Sequence, residues 1–230
     1  MPDRVSVIIP AFNEGPRVGR TVTAVRGIPE VSEVIVVDDC SSDDTASRAR
    51  EAGAEVLRLP ANRGKGAALN AGIEKSTGMV IVLLDGDLGG SAGEARKLIQ
   101  PVVEGRADLT VARFPVARRK GGFGVVKGLA RAGIRYFTGL EMESPISGQR
   151  AVRRELLCKL LPLAPGYGVE VGMSIEAALH GYRVLEVPVE MRHRETGRDL
   201  KGFVHRGRQF RDIAATLLRC RMKYGKRIAR

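Results

Sequence analysis

The sequence predicts an α/β domain, a mostly parallel sheet flanked by helices, followed by a basic amphipathic helix. Three observations carry this. Short runs that are apolar on both faces alternate with helical segments at roughly 25-residue intervals, the pattern of strands buried between two helical layers. Several of these runs end abruptly in carboxylates, Asn or Gly rather than in hairpin turns. The last stretch carries apolar residues at helical spacing among many Lys and Arg.

The first strand is Val5 to Ile9 in "VSVIIPAFNE", stopped by Pro10. Pro16 opens a helix over 16–27, because proline suits the first turn of a helix. Val34 to Val37 in "SEVIVVDDCSSDDT" form the second strand, and Ser42 or Asp43 caps a helix over 44–52. "AEVLRLP" is the third strand, and "GKGAALNAGIEKS" opens a helix after a Gly-rich turn. "MVIVLLDGD" (79–87) is the fourth strand, "AGEARKLIQPVV" a helix and "ADLTVARF" a further strand. Beyond residue 115, "VVKGLARAGIRYFTG" is helical. "SGQRAVRRELLCKLLP" gives a short strand and a helix, and "VEVGMSIEAALHGY" a helix ended at Gly181. "RVLEVPVEM" reads as an edge strand broken by Pro188, since proline cannot donate to a ladder. A final helix spans about 203–224. The expected division is a domain over 1–202 and a helical tail over 203–230.

Composition limits the function classes. The chain has 230 residues, 43% apolar, with no Trp. Its three cysteines, Cys40, Cys158 and Cys220, are odd in number and lack metal-ligand spacing. That favours reduced thiols in a cytoplasmic protein over a disulfide framework. No signal peptide is expected, and no apolar run approaches the roughly 20 residues of a membrane span. Residues 201–230 hold ten Lys or Arg against one acid, Asp212, which is +9 of the net +12. An anionic partner of the tail follows: lipid headgroups, nucleic acid or a protein.

Asn13 and Glu14 follow the first strand, Asp38 and Asp39 the second, Asp85 and Asp87 the fourth. Ligands of open α/β sheets bind beyond the carboxyl ends of the strands, so these groups are expected to share one crevice. In extended chain, side chains at i and i+2 point the same way, so Asp85 and Asp87 converge. Two like charges held together repel unless a cation lies between them. Mg²⁺ or Mn²⁺ relieves this and keeps coordination sites for phosphate oxygens. Gly86, Gly89 and Gly90 would admit a diphosphate close to the backbone. A D-x-D standing alone is more often a solvated turn.

Its neighbours give it weight. "VSVIIPAFNE", "VIVVDDCSSDDT", "NRGKGAALNAGI" and "GMVIVLLDGD" resemble, in order and spacing, the family 2 glycosyltransferases of the GT-A fold over residues 4–114. "SGQRAVRRE", "YGVEVGMSIEAALHGYRVLEVPVEM" and "HRETGRDLKG" are most similar to the dolichyl-phosphate mannose synthase and polyprenyl-phosphate branch. The resemblance implies that Pro10, Ala11, Asn13 and Glu14 contact the nucleoside. It implies that Asp38 or Asp39 binds base or ribose, and that Lys65 lies near the diphosphate. Asp85, Gly86 and Asp87 match the pair that holds metal and sugar-nucleotide, with Asp87 at the reaction centre. Arg113 and Arg131 match arginines facing an acceptor phosphate, and Arg150 falls in an "SGFR"-like motif. Arg suits such positions because its fork meets phosphate bidentately. His193, as a further metal ligand, and Arg194, Arg198 and Lys201 lie in a segment expected to close over the diphosphate. Cys40 and Asp44 replace glycines usual in the second motif, Gly89 stands where the branch often has Gln, and "GRDLK" replaces a "GESK"-like motif.

The implied activity is metal-dependent, inverting transfer of a sugar from a GDP- or UDP-linked donor to a polyprenyl phosphate at the membrane surface, in cell-wall or glycolipid biosynthesis. An acceptor phosphate is already anionic and needs positioning more than a base. The alternative acceptors are a soluble phosphorylated compound, such as a phosphoglycerate, or a cell-surface glycan. From another class, the chain could be a nucleotide- or nucleic-acid-binding module without catalysis. Gly66 after Lys65 removes the P-loop reading, no dinucleotide fingerprint follows the first strand, and the tail lacks the aromatics of single-strand binders. Nucleic acid is therefore not an expected partner. Phe210, Ile213, Ala214, Leu217 and Leu218 read as one apolar face of the tail helix, suited to a headgroup interface, a membrane-anchoring partner or docking on the domain.

Overall fold

A computed structural model describes residues 4–115, 124–163, 166–192 and 200–228, with side chains of the last helix described over 207–225. In chain order the elements are β1 (Val5–Ala11), α1 (Gly15–Arg26), β2 (Val31–Asp38), α2 (Thr45–Glu51), β3 (Glu55–Arg58), α3 (Lys65–Lys75) and β4 (Val80–Leu83). A 3-10 turn (Gly89–Glu94) leads into α4 (Ala95–Val103), β5 (Leu109–Arg113) and α5 (Gly124–Thr138). Then come β6 (Arg150–Arg153), α6 (Arg154–Leu160), a 3-10 turn (Gly166–Gly168), α7 (Val169–Leu179), β7 (Val184–Pro188) and α8 (Leu200–Ile228).

The seven strands lie in the order β3-β2-β1-β4-β6-β5-β7. All pairings are parallel except those of β6, which runs antiparallel between β4 and β5. The expected mostly parallel α/β architecture is what the chain adopts. Successive strand residues point to opposite faces. Ile8, Ile35, Val37, Ile81 and Leu83 pack on one side with α3 and α5 to α8, while Val7, Ile9, Val36, Val80 and Val82 pack on the other with α1 and α4. This double burial is why the strands lack polar alternation.

Two features position the site. The chain runs outward from β1 to β2 and β3, then returns to place β4 on the other flank of β1. The β1–β4 boundary is therefore the topological switch point, where a crevice opens beyond the strand ends. Because β6 is antiparallel, it begins where β4 ends, with Leu83 opposite Arg150. The residues before Arg150 are thereby delivered beside Asp85.

Some element limits differ from expectation. The fourth strand ends at Leu83 rather than 87, since Asp85 to Asp87 turn away from the ladder. The helix expected over 92–103 begins as the 3-10 turn and becomes α-helical at Ala95. Pro188 closes β7 at the sheet edge, opposite Arg113.

The apolar stripe of α8 is divided between two faces. Gly133 of α5 lies so close to Leu217 that an added Cβ would stand 2.3 Å from its Cδ2, and one on Gly168 would stand 2.0 Å from Thr216 Oγ1. This close approach turns Ile213, Thr216, Cys220 and Tyr224 inward. Phe210 and Leu218, expected on the same face as Ile213, remain exposed.

Candidate functional site

The loops after β1 and β2 are stitched together by hydrogen bonds. The Asn13 amide donates to Ser41 Oγ (2.9 Å), and Asn13 Oδ1 accepts from the Ser42 amide (2.9 Å). The Glu14 amide donates to Thr45 Oγ1 (2.8 Å) and the Gly15 amide to Asp43 Oδ2 (3.1 Å). Burial pushes the Asp43 carboxyl up, but donors from the Thr45 hydroxyl and nearby amides outweigh it and hold the group below its ordinary value. Asn13 and Cys40 both adopt positive φ, 55° and 64°. Cys40 thus keeps a left-handed turn that glycine adopts at no steric cost. Pro10 and Ala11 sit in the last β1 positions, opposite Val37 and Asp38.

The two acids closing β2 hold backbone. Asp38, fully buried, accepts the Ser41 amide on Oδ1 (2.9 Å) and faces Arg58 Nε at 3.4 Å. Asp39 accepts the amides of Arg63 and Gly64, each at 2.8 Å. Its carboxylate therefore fixes the turn that presents Lys65 at the start of α3.

Lys65 reaches Asp85 and Glu170. Its Nζ lies 2.9 Å from Asp85 Oδ1 and 3.1 Å from Glu170 Oε1. The other Asp85 oxygen accepts from Gln149 Nε2 (2.6 Å), and Gln149 is 1% exposed. Burial depresses the Lys65 ammonium, but the charges of Asp85 and Glu170 outweigh it and hold it well above its ordinary value. Gly148 makes room for this arrangement, since a Cβ there would stand 2.5 Å from Lys65 Nζ. The turn carrying Gly86 and Asp87 is pinned from below by Thr21, fully buried in α1. Its hydroxyl donates to the Gly86 carbonyl (2.9 Å) and accepts the Gly89 amide (2.8 Å).

The remaining expected residues fall in different places. Arg113, at the end of β5, pairs with Glu143 at 2.8 Å. Arg131 of α5 donates to the Met142 carbonyl (2.7 Å) and lines a cavity of about 860 Å³ with Tyr136, Glu143 and Glu186. Arg150 is neither a surface residue nor open to a ligand in this arrangement. It is 1% exposed and donates to the Ser147 carbonyl, Ser174 Oγ and the Pro145 carbonyl. Burial lowers its guanidinium to about 10, against the opposing charges of Glu170 and Glu186. Its work is to hold the 145–149 segment that carries Gln149. His193, Arg194 and Arg198 lie outside the described residues, as does the side chain of Lys201.

Gln149, Glu170 and Thr21 were not singled out by sequence reasoning. Gln149 stands in the quoted "SGQR", but its partner Asp85 is 64 positions away; Glu170 meets Lys65 across 105. Thr21 carries no signal beyond a polar residue on an otherwise apolar helix face.

The donor set suits a hard divalent ion shared with a diphosphate. Among the described residues no group of three or more His, Cys, Asp or Glu forms an all-protein cage. The turn after β4 offers Asp87 beside an Asp85 already held by Lys65 and Gln149, and Mg²⁺-type ions use one or two carboxylates together with phosphate and water.

The chain matches the family model "Glycosyl transferase family 2" over residues 6–161. It is 29% identical to "Glycosyltransferase AglJ" of Haloferax volcanii, covering 86% of this chain and 66% of that protein. It is 32% identical to glucosyl-3-phosphoglycerate synthase of Mycobacterium tuberculosis, covering 75% of this chain and 60% of that enzyme. The chain thus spans under two thirds of the length of these relatives. A crystal structure of the M. tuberculosis synthase with Mn²⁺, UDP-glucose and phosphoglyceric acid superposes with a TM-score of 0.77 at 30% identity, covering 94% of this chain and 79% of that one.

Proposed function

Because the chain belongs to glycosyl transferase family 2, we propose that it transfers a hexosyl group from a UDP-linked sugar, held through a divalent ion, to a small phosphorylated acceptor of the phosphoglycerate type. The observation that carries this reading is the Lys65–Asp85–Gln149 cluster, braced by Glu170, at the switch point of the sheet. The expected polyprenyl phosphate acceptor gives way here to the soluble alternative. Support for that choice comes from the synthase of similar sequence and fold, whose structure holds UDP-glucose, Mn²⁺ and phosphoglyceric acid.

We assign the roles as follows. Asp87 is proposed to ligate the ion directly. Asp85 has both oxygens engaged by Lys65 and Gln149, so it sets the shape and charge of the turn and shares the ion only secondarily. When bound, the ion supplies Lewis-acid charge that stabilises the departing nucleoside diphosphate. Lys65 adds a fixed positive charge beside that diphosphate, kept protonated by its two carboxylates. Pro10, Ala11, Asn13 and Glu14, with Asp38 and Asp39, form the stitched rim proposed for the nucleoside. Arg113 and Arg131 are proposed to meet the acceptor phosphate, and Arg194 and Lys201 the donor.

The test is UDP release from UDP-glucose with Mn²⁺, offering 3-phosphoglycerate, glycerol 3-phosphate or a polyprenyl phosphate as acceptor. The expected result is Mn²⁺-dependent turnover with a small phosphorylated acceptor, reduced about 100-fold by Asp87→Asn. Turnover with polyprenyl phosphate alone, or turnover indifferent to chelation, would overturn it.

A further inference from the structure

The outward face of α8 is unlike the face that docks on the domain. Phe210, Leu218 and Met222 are 43%, 58% and 73% exposed. With Ala214 they follow i, i+4, i+8 and i+12, a stripe about 18 Å long within one sector of the helix. Arg211 and Arg221 fall within that sector, both exposed. The sole acid of 201–230, Asp212, is turned toward the domain. Its carboxylate accepts the Tyr167 amide (3.3 Å) and pairs with Arg211 (3.0 Å), at 16% side-chain exposure. The outer face therefore carries Phe210, Leu218 and Met222 among arginines and no carboxylate.

We infer that this face docks on an anionic lipid bilayer surface, with α8 lying in the headgroup plane while the domain stays outside. Charge complementarity selects the occupant. A second copy would bring a +9 segment against its own like. Nucleic acid would satisfy the arginines but leave Leu218 and Met222 without apolar cover, and the face offers a single ring, Phe210, rather than a series on which successive bases stack. An anionic interface satisfies both, since acyl chains receive the stripe and headgroups the guanidinium groups. The docking is fixed in orientation by Gly133 and Gly168, which hold the opposite face of α8 against the domain. It does not depend on which acceptor the enzyme uses.

The test is co-sedimentation of the full chain with vesicles of phosphatidylcholine, with or without phosphatidylglycerol, alongside the double variant Leu218→Glu/Met222→Glu. Both positions are exposed, so the variant is expected to keep the wild-type Tm. The expected result is at least about tenfold greater partitioning onto the anionic vesicles, weakened by salt and reduced about tenfold by the double variant. Equal binding to neutral vesicles, no binding to either, or full binding by the variant would overturn the inference. So would a dimer in solution that the variant dissociates, or a salt-sensitive RNA complex formed by a chain that ignores vesicles.

Discussion

Replacing Lys65 with Met removes the cation from between two carboxylates while keeping most of the side-chain volume. Lys65 and Asp85 side chains are 28% and 30% exposed, and that of Glu170 is 8% exposed. Removing one partner of a buried pair costs about 3–5 kcal/mol, because the remaining charge stays desolvated. Here Asp85 keeps its Gln149 hydrogen bond, so about 3 kcal/mol, the low end, is expected at pH 7. Adding Glu170→Gln to Lys65→Met should recover at least about 1.5 kcal/mol, since the uncompensated charge is then gone. A pH dependence follows. The wild-type ammonium is held above its ordinary value of 10.5, so its stabilisation is fully present below that pH and fades as pH rises through the higher folded value. Urea unfolding of the wild type and both variants across this range measures all three. A single variant within about 0.5 kcal/mol of wild type at pH 7, or a double variant no more stable than the single, would refute the reasoning.

Thr21→Val keeps shape but strands the Gly86 carbonyl and the Gly89 amide. A loss of about 2 kcal/mol in urea unfolding is expected, together with a higher Mn²⁺ requirement for turnover. Gly148→Ala places a methyl group 2.5 Å from Lys65 Nζ, the movable end of a flexible chain. The fold should survive with Tm little changed while kcat/KM falls about 100-fold, because the cluster is displaced rather than the core. Cys40→Gly relieves a positive φ of 64°, partly offset by glycine's greater freedom when unfolded. A gain of about 0.5 kcal/mol in chemical denaturation is expected.

Periodicity and strand-end chemistry are local, and both were legible. Runs such as Val34 to Val37 announce double burial within a few residues, and Asp85 with Asp87 announce a charged turn. The identity of the partners was not legible. Asp39 reads as a base- or ribose-binding acid, and only the folded chain shows that its oxygens also clamp the amides of Arg63 and Gly64. Arg150 reads as a nucleotide-sugar-binding arginine in a motif, yet the antiparallel placement of β6 buries it against Ser147 and Ser174. The tail helix was visible from its spacing, but Phe210, Ile213 and Leu218 appeared to share one face.

The chain's own order of residues dictated which segments are strands, and that acids and glycines gather near their ends, because these follow from repeat length and backbone freedom within a few residues. Folding in three dimensions settled which of the acids meets Lys65, that Gln149 and Glu170 join it, and which side of α8 faces water. Those outcomes depend on strand order, on the reversal of β6, and on the close approach that Gly133, Gly148 and Gly168 permit between segments distant in the chain.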